Sequence, residues 1–131
     1  MVKYFSAMVE ETPSGKKWAL RSLQCWPILI SRAKSKSILT YGDLANLINF
    51  PYPNLLSDIL GHMLSFCKKN DLPLLNSIVV DKTTGIPGEG AELKAEQVPA
   101  IQMKVFAFDW FDIIPPTIEE LKEAFDFYYK S

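Results

Sequence analysis

Histidine occurs once in this chain, at His62, and cysteine twice, at Cys25 and Cys67. One imidazole and two distant thiols give no zinc-ligand spacing, and no nucleophile and base stand in an activating pattern. A Cys25–Cys67 disulfide would need an oxidising compartment that nothing else suggests, so two reduced thiols inside amphipathic helices are expected. No Gly-Lys-Ser/Thr ending follows the glycines of residues 83–90, which excludes a P-loop and leaves a hairpin tip. No apolar run reaches the roughly 18 residues that span a bilayer. The longest, residues 26–30, is broken by Ser31 and Arg32. The N-terminus meets Glu10 and Glu11 before any long apolar segment, unlike a secretory signal. The expectation is a cytoplasmic protein with no membrane partner, no cofactor, no metal and no complete catalytic constellation.

What is present describes an ordinary globular chain. Of its 131 residues, 48% are hydrophobic and 22% charged, enough for a single domain burying about two-thirds of its unfolded surface. The net charge of −1 conceals a gradient. Residues 1–40 hold seven Lys/Arg against Glu10 and Glu11, residues 41–80 two Lys against three Asp, and residues 81–131 five Lys against ten acids. A basic first third suits phosphate and an acidic last third repels it, unless the two pair internally.

Along the chain, residues 1–12 read as a short strand before a Pro13–Gly15 turn, with Ser14 capping a helix that carries Trp18, Leu23 and Trp26. Pro27 predicts either a kink or a second helix starting there. Thr40 is a good N-cap, and Asp43 stands where a capping box places its partner. The helix it opens stops before Pro51. Asn54 is expected to cap a longer helix with a wide apolar face, closed by Lys68, Lys69 and a left-handed Asn70. Residues 74–81 read as a strand and residues 82–85 as a turn, with residues 86–90 returning as an irregular arm. Residues 98–108 fit helix and strand alike, with helix preferred. Thr117 and Glu120 form a capping box for a terminal helix. The fold class expected is α+β, a mostly helical single domain spanning 1–131. It has a winged-helix-like core at 38–90 and a small β-hairpin, an N-terminal strand and helices at 1–37, and a helical segment at 98–131.

The residues Ile38-Leu39-Thr40-Tyr41-Gly42-Asp43-Leu44-Ala45 resemble the opening of the DNA-binding domain in alkylguanine-DNA alkyltransferases and their non-catalytic alkyltransferase-like relatives. In that family a TYG stretch opens one helix and a second helix enters the minor groove. A Pro-Cys-His-Arg segment then delivers the alkyl-accepting cysteine before a Val-Val strand. The resemblance covers residues 38–90, with residues 55–67 as the second helix and Pro73 and Ile78-Val79-Val80 as the later landmarks. It implies a winged helix and DNA as ligand. Leu74 stands in the acceptor position and Leu75 in that of the histidine, and residues 54–67 contain no Arg. Alkyl transfer is therefore not expected. Other features, such as Leu60-Gly61-His62 and Pro87-Gly88, are similar to uncharacterised bacterial and mobile-element proteins.

Within that frame, Asn54, Asp58, His62, Ser65 and Lys69 recur at helical spacing and share a face. The candidate nucleic-acid contacts are Tyr41, Asn54, Ser57, His62, Ser65, Lys68, Lys69 and Lys82. Asn54 and Ser65 would meet base edges or sugars and the lysines phosphate. The bland alternative is a solvated face with an Asp58–His62 pair. A basic patch from Lys16, Lys17, Arg21, Arg32, Lys34 and Lys36 beside this helix would support DNA. The acids Asp109, Asp112, Glu119, Glu120 and Glu123 are weighed as metal ligands and read instead as solvated, partly in a helix's first turn. The function expected is a non-enzymatic binding or regulatory module. The rival is a small protein-interaction factor, an inhibitor or accessory protein of a mobile element or defence system, using the aromatic residues 106–111 and the acidic C-terminus. An enzyme using His62 with Tyr41 or Glu89 is the weakest alternative.

Overall fold

The computed structural model describes residues 17–129. The expected N-terminal strand, the Pro13–Gly15 turn, the Ser14 cap and Lys16 lie outside them. The described residues are mostly helical, at 67% with the 3-10 turns included, and form five α-helices and one two-stranded sheet.

Helix α1, Trp18–Lys34, buries Ala19, Ser22, Cys25, Trp26, Leu29, Ile30 and Ala33, a stripe at three- and four-residue spacing. Pro27 lies inside it without dividing it. Pro27 is exposed, so the carbonyl that its missing N–H orphans sits on the side that water reaches. Strand β1, Leu39–Thr40, leads into α2, Tyr41–Leu47. The Thr40 hydroxyl accepts from Asp43 N–H at 3.1 Å, the capping half of the expected box. A 3-10 turn at Pro53–Leu55 leads into α3, Leu56–Lys69. Asn54 lies within that turn, and α3 has no side-chain cap.

Helices α1, α2 and α3 end alike. The residue after each cap, Lys36, Asn49 and Asp71, is left-handed, with φ of 57°, 53° and 57°. The next N–H bonds the carbonyl five residues back: Ser37 to Arg32, Phe50 to Ala45, and Leu72 to Cys67. These are Schellman closures made without glycine. The expected left-handed Asn70 has φ −105°. Asp71 takes that role, while the Asn70 side-chain amide donates to Phe66 O at 2.9 Å.

The expected strand at 74–81 is shorter than its apolar run. Residues Leu75–Ile78 form a 3-10 turn and only Val79–Val80 is strand, β2. The apolar run marked burial, which a buried helical turn satisfies as well as a strand. β2 runs parallel to β1, pairing Leu39 with Val79 and Thr40 with Val80. This corrects the expected β-hairpin: the arm at 86–90 adds no strand among the described residues. The Asp81 carboxylate instead accepts from Thr83 N–H at 2.7 Å and Thr84 N–H at 3.1 Å, and Asp81 N–H bonds Ile86 O. A side-chain-capped loop thus replaces a ladder. Helix α4, Val98–Ala107, has Pro99 in its first turn, as the preferred reading has it. Thr117 and Glu120 bond reciprocally, N–H to side chain, at 2.9 and 3.1 Å, and open α5, Ile118–Tyr129.

Helix α3 is the central element, with α1 and α5 packed against it. Every residue from Ile59 to Cys67 is buried. Trp26 meets Phe66 and Trp110 edge-on at 5.8 and 5.7 Å between centroids. Gly61 lets α5 approach: a Cβ there would lie 3.3 Å from the Phe125 ring. No helix among the described residues is long and apolar enough to cross a membrane.

Candidate functional site

The parallel pairing of β1 and β2 brings the start of α2 against the loop that follows β2. Tyr41, the first residue of α2, directs its hydroxyl to Gly88 N–H, which donates to it at 2.8 Å. Burial raises the Tyr41 pKa; the Gly88 bond opposes the rise and the charge of Asp81 adds to it. On the other side of the loop, a Cβ at Gly90 would sit 3.0 Å from Ser57 Cβ, so the absence of a side chain there lets the loop approach α3 closely.

Between these contacts lies a groove of about 400 Å³, lined by Tyr41, Asn54, Ser57, Asp81, Gly88 and Glu89 among others. A hollow the size of one water continues from it, bounded by Tyr41, Ser57, Gly90 and Asn76. The Asn76 side chain is buried and its amide oxygen has no protein partner. The groove therefore gathers uncharged hydrogen-bonding groups from three elements, with two carboxylates at its rim.

Of the eight sequence candidates, Tyr41, Asn54 and Ser57 share this groove. Lys82 is exposed on the loop beside it. Lys68 and Lys69 stand about 17 and about 18 Å along the helix from Ser57 by its rise. There Lys68 Nζ lies 3.8 Å from Glu92 and 5.0 Å from the Tyr128 ring, and Lys69 Nζ 5.7 Å from that of Phe127. The Tyr129 hydroxyl joins the cluster by donating to Glu92 at 3.1 Å.

His62 and Ser65 depart from expectation. Both are buried, because α5 covers the α3 face that carries them. The Ser65 hydroxyl donates to Gly61 O at 2.8 Å. His62 stacks on Phe125 at 4.0 Å and 4°, with Nδ1 2.8 Å from Asp58 O. The middle of the stripe, His62 and Ser65, is an interhelical seam without a side-chain Asp58–His62 pair, while Asn54 and Lys69 at its two ends stay exposed. Burial also lowers the His62 pKa, against the raising effects of the Asp58 backbone bond and the Asp126 and Asp58 charges. The basic patch is likewise divided. Arg21 is buried and donates to the carbonyls of Ile48 and Asn49 at the end of α2, while Lys34 and Lys36 lie at the far end of α1.

A recess of about 840 Å³ surrounds that Arg21 bond and is lined by Gln24, Asn46 and Leu47 among others. Its one buried charge is committed to backbone carbonyls, so its chemistry is structural. A second recess of about 300 Å³ lies where α1 and α4 end, bounded by Lys34, Lys36, Phe106, Phe108, Asp109 and Phe111. Sequence reading marked its basic and aromatic halves separately but had nothing to join them. Asn76 and the rim acids Asp81 and Glu89 were missed as groove residues, since nothing local announces a pocket formed across three elements. Among the described residues no three His, Cys, Asp or Glu side chains gather as metal ligands.

No known protein family, curated protein or solved structure matches the chain.

Proposed function

We propose that the chain is a non-enzymatic binding module with a winged-helix-like core, and that it takes nucleic acid at the groove where Tyr41, Asn54 and Ser57 meet the 81–90 loop. The observation that carries this reading is the convergence of those three side chains, with Lys82 exposed on the adjoining loop, in a groove at the N-terminal end of α3. The element order, with a TYG helix, a second helix and a Val-Val strand returning beside the first, supports the resemblance to the alkyltransferase DNA-binding domain. Amide and hydroxyl groups suit base edges and sugars, which carry sequence information, and one lysine suits phosphate. Asp81 and Glu89 limit the attraction for phosphate, so affinity is modest.

Alkyl acceptance is not part of the proposal. Leu74 occupies the acceptor position, and burial pushes both thiols, Cys25 and Cys67, up to about 12. A thiol so far from ionisation is a poor nucleophile.

The test is a labelled-duplex titration across salt concentrations. Binding at low salt is expected, with a log–log slope near that of one or two phosphate contacts, about −0.9 each. Asn54→Ala should weaken it by about tenfold without changing the slope, whereas Lys82→Ala should make the slope shallower by about 0.9. Absence of binding at low salt overturns the proposal. The second reading, a protein-interaction factor, draws on Met103, Phe111 and Ile114, large apolar side chains 67%, 65% and 90% exposed. A partner retained by the wild-type chain and lost on Ile114→Asp supports that reading.

A further inference from the structure

The recess at the ends of α1 and α4 has a chemistry of its own. Lys34 and Lys36 are exposed on one side, and among the described residues neither makes an ion pair. Phe111 lies on the other side, 65% exposed, with Phe108 half-buried and Trp110 beneath, its ring 4.6 Å from that of Phe108. Two helices end here, and free carbonyls would oppose an anion. Several of them are occupied. Ser37 N–H takes Arg32 O, Lys36 N–H takes Ala33 O, Phe108 N–H takes Lys104 O, and Trp110 Nε1–H takes Val105 O at 2.8 Å. The one acid, Asp109, has an oxygen turned to Phe111 N–H at 3.3 Å.

We propose that this recess binds one nucleotide unit of a single-stranded nucleic acid, its base stacked on Phe111 and its phosphates on Lys34 and Lys36. An exposed ring beside two cations matches the two halves of a nucleotide. A duplex keeps its base faces stacked and presents none to Phe111, whereas a single strand does. An acidic peptide satisfies the lysines but brings no obligatory planar face to the ring. The volume is at the lower end for small-ligand pockets, which limits the site to one unit. The site shares no residue with the Tyr41 groove and stands apart from the duplex reading.

The experiment is fluorescence anisotropy of a labelled short oligothymidylate with the full chain at several salt concentrations. Wild type should bind saturably and quench tryptophan fluorescence through Trp110. Phe111→Ala should weaken binding about tenfold, and Phe111→Trp should retain it. The double variant Lys34→Ala, Lys36→Ala should make the salt slope shallower by about 1.4, from about 0.7 per phosphate contact on a single strand. All three positions are exposed, so circular dichroism should show the fold unchanged. Phe111→Ala, which lies outside the Tyr41 groove, should leave duplex binding unchanged, which separates failure here from failure of the duplex reading. No binding at low salt overturns the proposal. So does an unaffected Phe111→Ala variant, or polyglutamate displacing the strand at equal concentration.

Discussion

His62 is held between two helices, where burial favours its uncharged form. A carbonyl only accepts, so the 2.8 Å contact with Asp58 O places a hydrogen on Nδ1, while Phe125 covers the ring face. Its folded-state pKa lies below the ordinary 6.5, with burial the main cause. The unfolded chain therefore binds a proton more readily as pH falls through that value. The stabilisation is complete above about pH 6.5 and declines as pH drops toward the folded pKa. The urea midpoint is expected to fall between about pH 7.5 and about pH 5.5, and His62→Phe should remove part of that fall. An unchanged pH dependence in the variant would mean that other groups set it. Arg21 is a second residue that sequence alone misassigns. Its cationic character suggested a ligand surface, yet its guanidinium holds the carbonyls of Ile48 and Asn49 and lies 5.6 Å from the Phe50 ring. Arg21→Leu should destabilise by about 2 kcal/mol in urea unfolding, the scale of charge-assisted bonds to buried acceptors. Its effect on ligand binding should be small.

At the scale of elements, helix starts were more legible than helix ends. The Thr40 cap and the Thr117–Glu120 box are contacts within three residues, so spacing alone reveals them. The three Schellman closures use Lys, Asn and Asp where glycine is the usual signal, and only Asn hints at such a role. Asp71 also places a negative charge at the negative end of α3. Asp71→Gly should accordingly stabilise the chain by about 1 kcal/mol, read as a higher denaturation midpoint with an unchanged m-value. A loss of stability would show that the Asp71 side chain makes a compensating contact. The polar stripe of α3 shows the converse problem. Its spacing is real, but whether another helix covers it depends on α5, some sixty residues later. Gly61 is the only local mark of that contact, and it reads equally well as a place for backbone to approach a groove.

For the whole molecule, the parallel pairing of Leu39–Thr40 with Val79–Val80 organises the rest. It holds α2 beside the 81–90 loop and so forms the groove at the N-terminal end of α3, while α5 covers His62 and Ser65. The β-branched pair was visible in sequence; its partner and direction were not, because a pairing about forty residues distant leaves no periodic trace. The same holds for the candidate site. Tyr41, Asn54 and Ser57 were found through their place in a familiar helix order, and Asn76, Gly88 and Gly90 joined them only in three dimensions. The central claim is that nucleic acid enters this groove, and chemical-shift mapping of the 15N-labelled chain with a short duplex tests it most directly. The account predicts saturable shifts concentrated at Tyr41, Asn54, Ser57, Lys82 and Gly88, with the buried His62 and Ser65 little changed. Shifts that leave those residues untouched while moving others, or no shifts at low salt, would contradict it.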